Sequence, residues 1–253
     1  MGGGPASGAL TTATLHAALP PLEAPDRVDV VARRLSEAIR LGLLADGQRL
    51  PSETDLAAHL GVSTVTLREA LARLRHSGLL ETRRGRGGGT VVCAPAGLAS
   101  ERLRERLLEF TVYELRELGD HRAAIAGMCA YLAAERALPF DVDRLQEELD
   151  RLANARTMAE RWRADANFHV VLATAAQSSR LARAEVGLQT ELGDVVWLLA
   201  EHEQRFDDIV GHHRKVIAAV RARRASAARD AITRHVNAEM VDLARYRMAL
   251  DTD

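Results

Sequence analysis

Leu50-Pro51-Ser52-Glu53-Thr54-Asp55-Leu56-Ala57-Ala58-His59-Leu60-Gly61-Val62-Ser63-Thr64-Val65-Thr66-Leu67-Arg68-Glu69-Ala70-Leu71 decides the fold of the first part of this chain. Two serines stand where a helix needs its first orphan N–H groups satisfied, Ser52 before one apolar-periodic run and Ser63 before the next. The first run turns Leu56, Ala57 and Leu60 inward, and the second turns Leu67, Ala70, Leu71 and Leu74 inward. Gly61 between them supplies a tight turn. Two short helices, with a small residue at their crossing and a glycine turn, make a helix-turn-helix.

The pattern extends in both directions. Upstream, Val28, Val31, Leu35, Ile39 and Leu43 mark a helical stripe that ends near Gly42–Gly47. Downstream, Ser77-Gly78 stops the third helix, and Leu79–Arg83 and Thr90–Cys93 are expected as short strands around Arg84-Gly85-Arg86-Gly87-Gly88-Gly89. Helix, helix, turn, helix, strand, glycine-rich tip and strand is the order of a winged helix-turn-helix. A phosphate loop is excluded, because no Gly-Lys-Ser/Thr follows the glycines and no helix opens there.

Charge is distributed to match. Residues 27–92 hold 11 Arg against 7 acidic residues, whereas the whole chain of 253 residues has a formal charge of −1. A basic module on a mildly acidic body is the footprint expected of a surface that meets phosphate. The reading helix exposes Thr64, Val65, Thr66 and Arg68 near its N-terminus. There hydroxyls meet phosphate or base edges, Val65 a thymine methyl, and Arg68 phosphate or guanine. Arg83, Arg84, Gly85 and Arg86 form the expected cationic wing.

Beyond Pro95 the texture is helical throughout, with expected helices at 100–117, 120–137, 141–155, 158–175, 179–201, 206–223 and 227–247. The fold class expected is mainly α: a winged helix-turn-helix at 27–93, a linker at 94–99, and an antiparallel all-α bundle at 100–248. Residues 1–26, rich in Gly, Ala, Pro and Thr, are expected to be a disordered arm. No apolar run approaches the ~20 residues of a membrane helix. Cys93 and Cys129 are too few for a disulfide framework, which fits a reducing cytoplasm.

Leu50-Pro51-Ser52-Glu53, Leu60-Gly61-Val62-Ser63, Leu67-Arg68-Glu69-Ala70-Leu71 and Gly78-Leu79-Leu80 through Arg84-Gly85-Arg86-Gly87 resemble the GntR family of bacterial transcription regulators. The helical remainder resembles that family's FadR-type branch with an FCD effector domain. The resemblance implies a homodimer on a pseudo-palindromic double-stranded DNA operator, with repression the more usual mode, and adds Ser52 and Ser63 to the DNA-binding set. Two positions depart from the family. Thr54 and Thr64 stand where it usually has Arg, so a divergent operator is expected.

Asp165 and His169 lie four apart on one expected helix and project from one face. His213 shares a stripe with Ile209, Val216, Ile217 and Val220, and His235 shares one with Ala231, Ile232 and Glu239. Each inward imidazole needs partners for both ring nitrogens, and a divalent metal supplies one. Taken singly, a histidine of this kind is more often a surface or satisfied core residue than a ligand. The resemblance assigns the four, because metal-binding FadR-type regulators carry Asp-x-x-x-His and then two histidines on later helices. Neutral imidazole and carboxylate suit zinc, with nickel or manganese as alternatives.

The same resemblance points to a small organic-acid effector, held by the metal and by an Arg on an early bundle helix. Arg122 is the match, its guanidinium suited to clamping a carboxylate in bidentate fashion. Its other reading is a salt bridge to Asp120 or Glu117. Ala126 replaces a frequent family Glu, and Ser178 stands where Asn is common. Two further readings remain at this level: a metal-free sensor of acyl-CoA or fatty acid, and a metallohydrolase fused to a DNA-binding head. The hydrolase reading lacks a general base of the His-Glu-x-x-His kind.

Overall fold

The computed structural model describes residues 27–83, 89–93, 100–198 and 203–251. The expected arm at 1–26, the linker at 94–99 and the wing-tip residues Arg84, Gly85 and Arg86 lie outside the described residues. The chain divides into two compact units, Met1–Pro95 and Ala96–Asp253, each with its own core.

The first unit contains α1 (Arg27–Arg40), α2 (Glu53–Leu60), α3 (Thr64–His76) and a hairpin of β1 (Leu80–Arg83) and β2 (Gly89–Val92). The caps form where the serines stand. Ser52 Oγ accepts from the Asp55 N–H at 3.1 Å, and Ser63 Oγ accepts from the Thr66 N–H at 3.1 Å. Gly61 adopts φ +66°, a left-handed conformation that costs other residues about 1–2 kcal/mol. Val31, Leu35, Ile39, Leu56, Leu60, Leu67, Leu71 and Leu74 bury together, with Val28 and Leu43 packed partly against them. Burying each such leucine is worth about 1.5–3 kcal/mol, which fixes the angle between α2 and α3.

The hairpin is antiparallel, with Leu80 opposite Val92 and Arg83 opposite Gly89. A contact not read in the sequence anchors it to the helices. The segment before α2 runs alongside β2, where Leu50 N–H donates to the Thr90 carbonyl and Val92 N–H to the Gln48 carbonyl, both at 2.9 Å. The base of the wing is thereby tied to the start of the helix-turn-helix.

The second unit is all-helical: α4 (Ser100–Leu108), α5 (Val112–Arg136), α6 (Pro139–Ala153), α7 (Met158–Ala175), α8 (Ser179–Val196), α9 (Glu203–Arg221) and α10 (Ala225–Leu250). The single helix expected over 100–117 is two. Thr111 Oγ1 accepts from the Glu114 N–H at 3.1 Å while Glu114 Oε2 accepts from the Thr111 N–H at 2.8 Å. That capping box starts α5 at Val112 and carries it to Arg136, through the break expected near residue 118. α5 and α10 form the most extensive helix pairing. At Gly127 the two helices approach closely, since a Cβ there would lie 2.8 Å from Thr233 Oγ1.

Candidate functional site

On the DNA-reading face, Val65 is 70% exposed and Arg68 and Thr54 are exposed. Thr64 and Thr66 are half-buried, and the Thr66 hydroxyl is engaged with Ser63 Oγ at 2.8 Å. Ser52 and Ser63 serve as caps, so their hydroxyls are committed within the protein. The arginines are not bare. Arg68 Nε donates to Glu53 Oε2 at 2.6 Å, Arg83 Nε donates to Glu81 Oε1 at 2.6 Å, and Arg73 pairs with Asp29. These three arginines of the basic head are each paired with a carboxylate.

In the helical unit, Asp165 and His169 come from α7, His213 from α9 and His235 from α10. All four are buried, and one ligand atom from each lies within 4.8 Å of all the others. His213 Nε2 stands 3.1 Å from His235 Nε2 and 3.4 Å from Asp165 Oδ1. Donors each held about 2.0–2.2 Å from one tetrahedral ion lie roughly 3.3–3.6 Å apart, close to these two separations. Phe168 stacks on the His213 ring at 3.9 Å between centroids and 8° between planes, which fixes its orientation.

The polar groups here fit a cation. Asp165 Oδ1, both ring nitrogens of His169 and His213 Nδ1 are buried without a hydrogen bond. Leaving such groups unmatched costs about 1–3 kcal/mol each. Burial pushes the imidazoles of His169, His213 and His235 well below their ordinary value, towards the neutral form that ligates metal. Burial, reinforced by the charge of Glu239, raises the Asp165 carboxyl well above its ordinary value. Three carboxylates (Asp165, Glu185 and Glu239) are buried with one buried guanidinium, Arg122, whose charge acts on all three, while that of Arg205 also reaches Glu239. A divalent cation would bring those ionised groups to neutrality.

Arg122 reaches neither Asp120 nor Glu117, the partners its salt-bridge reading named. It is 2% exposed and turned into the bundle, where Nη2 lies 3.5 Å from Glu239 Oε2 and Nη1 donates to Met240 Sδ at 3.5 Å. Those acids stand two and five residues before it on α5, on exposed faces turned away from it, whereas α10 presents Glu239 across the helix pairing.

Comparisons with known proteins follow the same division. Residues 27–92 match the bacterial regulatory proteins of the gntR family, and residues 117–238 match the FCD domain. The HTH-type transcriptional regulator RmpR of Mycobacterium gastri is 38% identical over 238 residues, covering 93% of this chain and 86% of RmpR. The chain belongs to the GntR family. An L-lactate dehydrogenase operon regulatory protein of Escherichia coli (strain K12) is 32% identical over 244 residues, covering 86% of this chain and 89% of that protein. Among solved structures, E. coli McbR/YncC superposes with a TM-score of 0.52 at 20% identity, covering 88% of this chain and 99% of that one, a likeness of fold.

This GntR-family protein is therefore a DNA-binding transcriptional regulator with an FCD domain. Among its described residues, no helix is long and apolar enough to cross a membrane. Three site residues were not singled out from sequence. Glu53 holds Arg68. Glu185 lies with Oε1 3.7 Å from His169 Nδ1, and the same oxygen accepts from Gln189 Nε2 at 2.9 Å. Glu239 faces both His235 and Arg122. Glu53 stands in the Leu50-Pro51-Ser52-Glu53 motif and Glu239 lies four residues after His235 on one stripe, whereas no sequence signal points to Glu185.

Proposed function

We propose that this regulator holds a divalent metal on Asp165, His169, His213 and His235, and that a small carboxylate effector meeting this centre and Arg122 modulates operator binding. The observation that carries the reading is the buried set of four ligand atoms within 4.8 Å, with imidazole nitrogens otherwise left without partners. Three nitrogens and one carboxylate oxygen favour zinc, with nickel or manganese as further candidates. When bound, such an ion supplies a Lewis-acidic contact for a carboxylate oxygen. The protein's own residues orient it: Phe168 fixes the His213 ring, and Glu185 stands beside His169 Nδ1. One relative's name refers to an L-lactate dehydrogenase operon, and lactate is a small hydroxy acid of the class proposed.

The DNA-bound form is proposed as a homodimer on a pseudo-palindromic operator, acting as a repressor. Ser52, Thr54, Ser63, Thr64, Val65, Thr66, Arg68, Arg83, Arg84, Gly85 and Arg86 form its contact surface, the capping serines through backbone positioning. For the effector to act, it must bind the operator-competent and incompetent arrangements with different affinity. Elemental analysis of protein purified without added metal tests the centre, together with operator binding before and after chelation. A stoichiometric metal lost in His213→Ala and His235→Ala is the expected result. A metal-free protein indifferent to chelator would refute it.

A further inference from the structure

Glu239 is 1% exposed, and neither of its carboxylate oxygens makes a hydrogen bond. One oxygen, Oε1, faces His235 Nε2 at 3.4 Å, and that nitrogen is the one turned towards His213. The other, Oε2, faces Arg122 Nη2 at 3.5 Å. A buried guanidinium forms its strong contacts as bidentate pairs at about 2.7–2.9 Å. Here Arg122 has one long ion pair and a thioether sulfur, which is a weak acceptor. Glu239 thus presents a carboxylate to Arg122 and to a ligand nitrogen of the centre, the place proposed for the effector's carboxylate.

We infer that Glu239 is a built-in competitor of the effector, a tethered carboxylate that a small carboxylate ligand must displace to reach Arg122 and the metal-side edge of His235. The inference rests on the proposed metal centre and adds a specificity rule to it. A ligand gains only the difference between its own contacts and those Glu239 already makes. An effector with a second polar group beside its carboxylate, such as a 2-hydroxy acid, outcompetes the glutamate, whereas a simple carboxylate does not.

The test uses zinc-loaded full-length protein, with acetate and L-lactate as probes. Wild type should bind acetate barely and L-lactate measurably in calorimetry. Glu239→Ala should bind acetate at least about tenfold more tightly than wild type. By linkage, acetate should then raise the zinc affinity of Glu239→Ala by the factor by which zinc raises that variant's acetate affinity, read in a competition with a chromophoric chelator. Adding Arg122→Gln should abolish that gain. If Glu239→Ala leaves a hole the fold does not survive, Glu239→Gln keeps the volume, and the same ordering is required of it. Acetate affinity and acetate-linked zinc affinity unchanged in a folded variant would overturn the role of Glu239 and leave the metal centre standing. A wild type that takes up no zinc would overturn both.

Discussion

Arg68 on the reading helix is tied to Glu53 at the start of α2, Nε to Oε2, at 2.6 Å. The pair joins the two helices of the helix-turn-helix and holds the guanidinium on the exposed face. With the Arg side chain 65% exposed, such a bridge contributes only about 0–1 kcal/mol to stability. A phosphate or a guanine edge can therefore take over the guanidinium at small cost. Arg68→Ala is expected to leave the melting temperature nearly unchanged and to weaken operator binding by about 1–3 kcal/mol, if the contact is to a base. Fluorescence anisotropy on operator and scrambled duplexes would show it. Equal affinity for wild type and variant would remove Arg68 from the contact set.

Thr54 is exposed and Thr64 half-buried at positions where the family usually carries Arg. Without those guanidinium forks, selection from random duplexes should recover a half-site different from that of relatives with both arginines. Recovery of the same half-site would show that neither position reads sequence.

Metal should act on stability as well as on regulation. A ligand bound only by the folded state at a hundred times its dissociation constant adds about 2.7 kcal/mol, or roughly 5–11 °C for a domain of this size. Zinc added to chelator-stripped wild type is expected to raise the melting temperature by that order, and His213→Ala should show almost none of the rise. A scanning fluorimetry shift equal in both proteins would count against the centre.

Glu148 on α6 gives a pH dependence outside the metal cluster. Its Oε1 accepts from Arg151 Nη1 at 2.6 Å, but Oε2 is buried without a partner. Burial raises its carboxyl above the ordinary value of 4.5 despite the lowering by Arg151. The folded state therefore holds this proton more tightly than the unfolded state. Below that ordinary value both states are protonated, and Glu148→Gln should be near neutral. As pH rises past it, ionisation increasingly favours unfolding of the wild type, so the variant's stability advantage should grow and then level off above the raised folded value. Urea melts across pH 5 to 8 would measure this, and an advantage that shrank with rising pH would contradict it.

How much was legible in the sequence depended on the range of the interaction. The serine caps, Gly61 and the inward leucines are local signals, and each occupies its expected place. Helical spacing puts Asp165 and His169 on one face and apolar stripes turn His213 and His235 inward, but the resemblance to metal-binding relatives is what assigns the four, and the bundle brings them together. The break at Thr111 was also local, a Thr-x-x-Glu box overlooked because the apolar pattern continues across it. Glu53–Arg68, Glu185–His169 and Arg122–Glu239 were not readable. Each pair joins elements whose juxtaposition is set by tertiary packing, and no spacing within one element encodes it. For Arg122, the salt-bridge reading named acids on its own helix, while the long α5–α10 contact supplies one from the other.

The candidate ligands also divide the helical unit unevenly. α7, α9 and α10 each place a side chain on the shared point, whereas α8 reaches it only through Glu185 beside His169. An ion held there would fuse three helices into one cooperative opening unit, while α8 keeps an opening energy of its own. Opening of α8, which carries no ligand, would then cost the centre only the Glu185 contact to His169, whereas opening of α7, α9 or α10 would release a ligand.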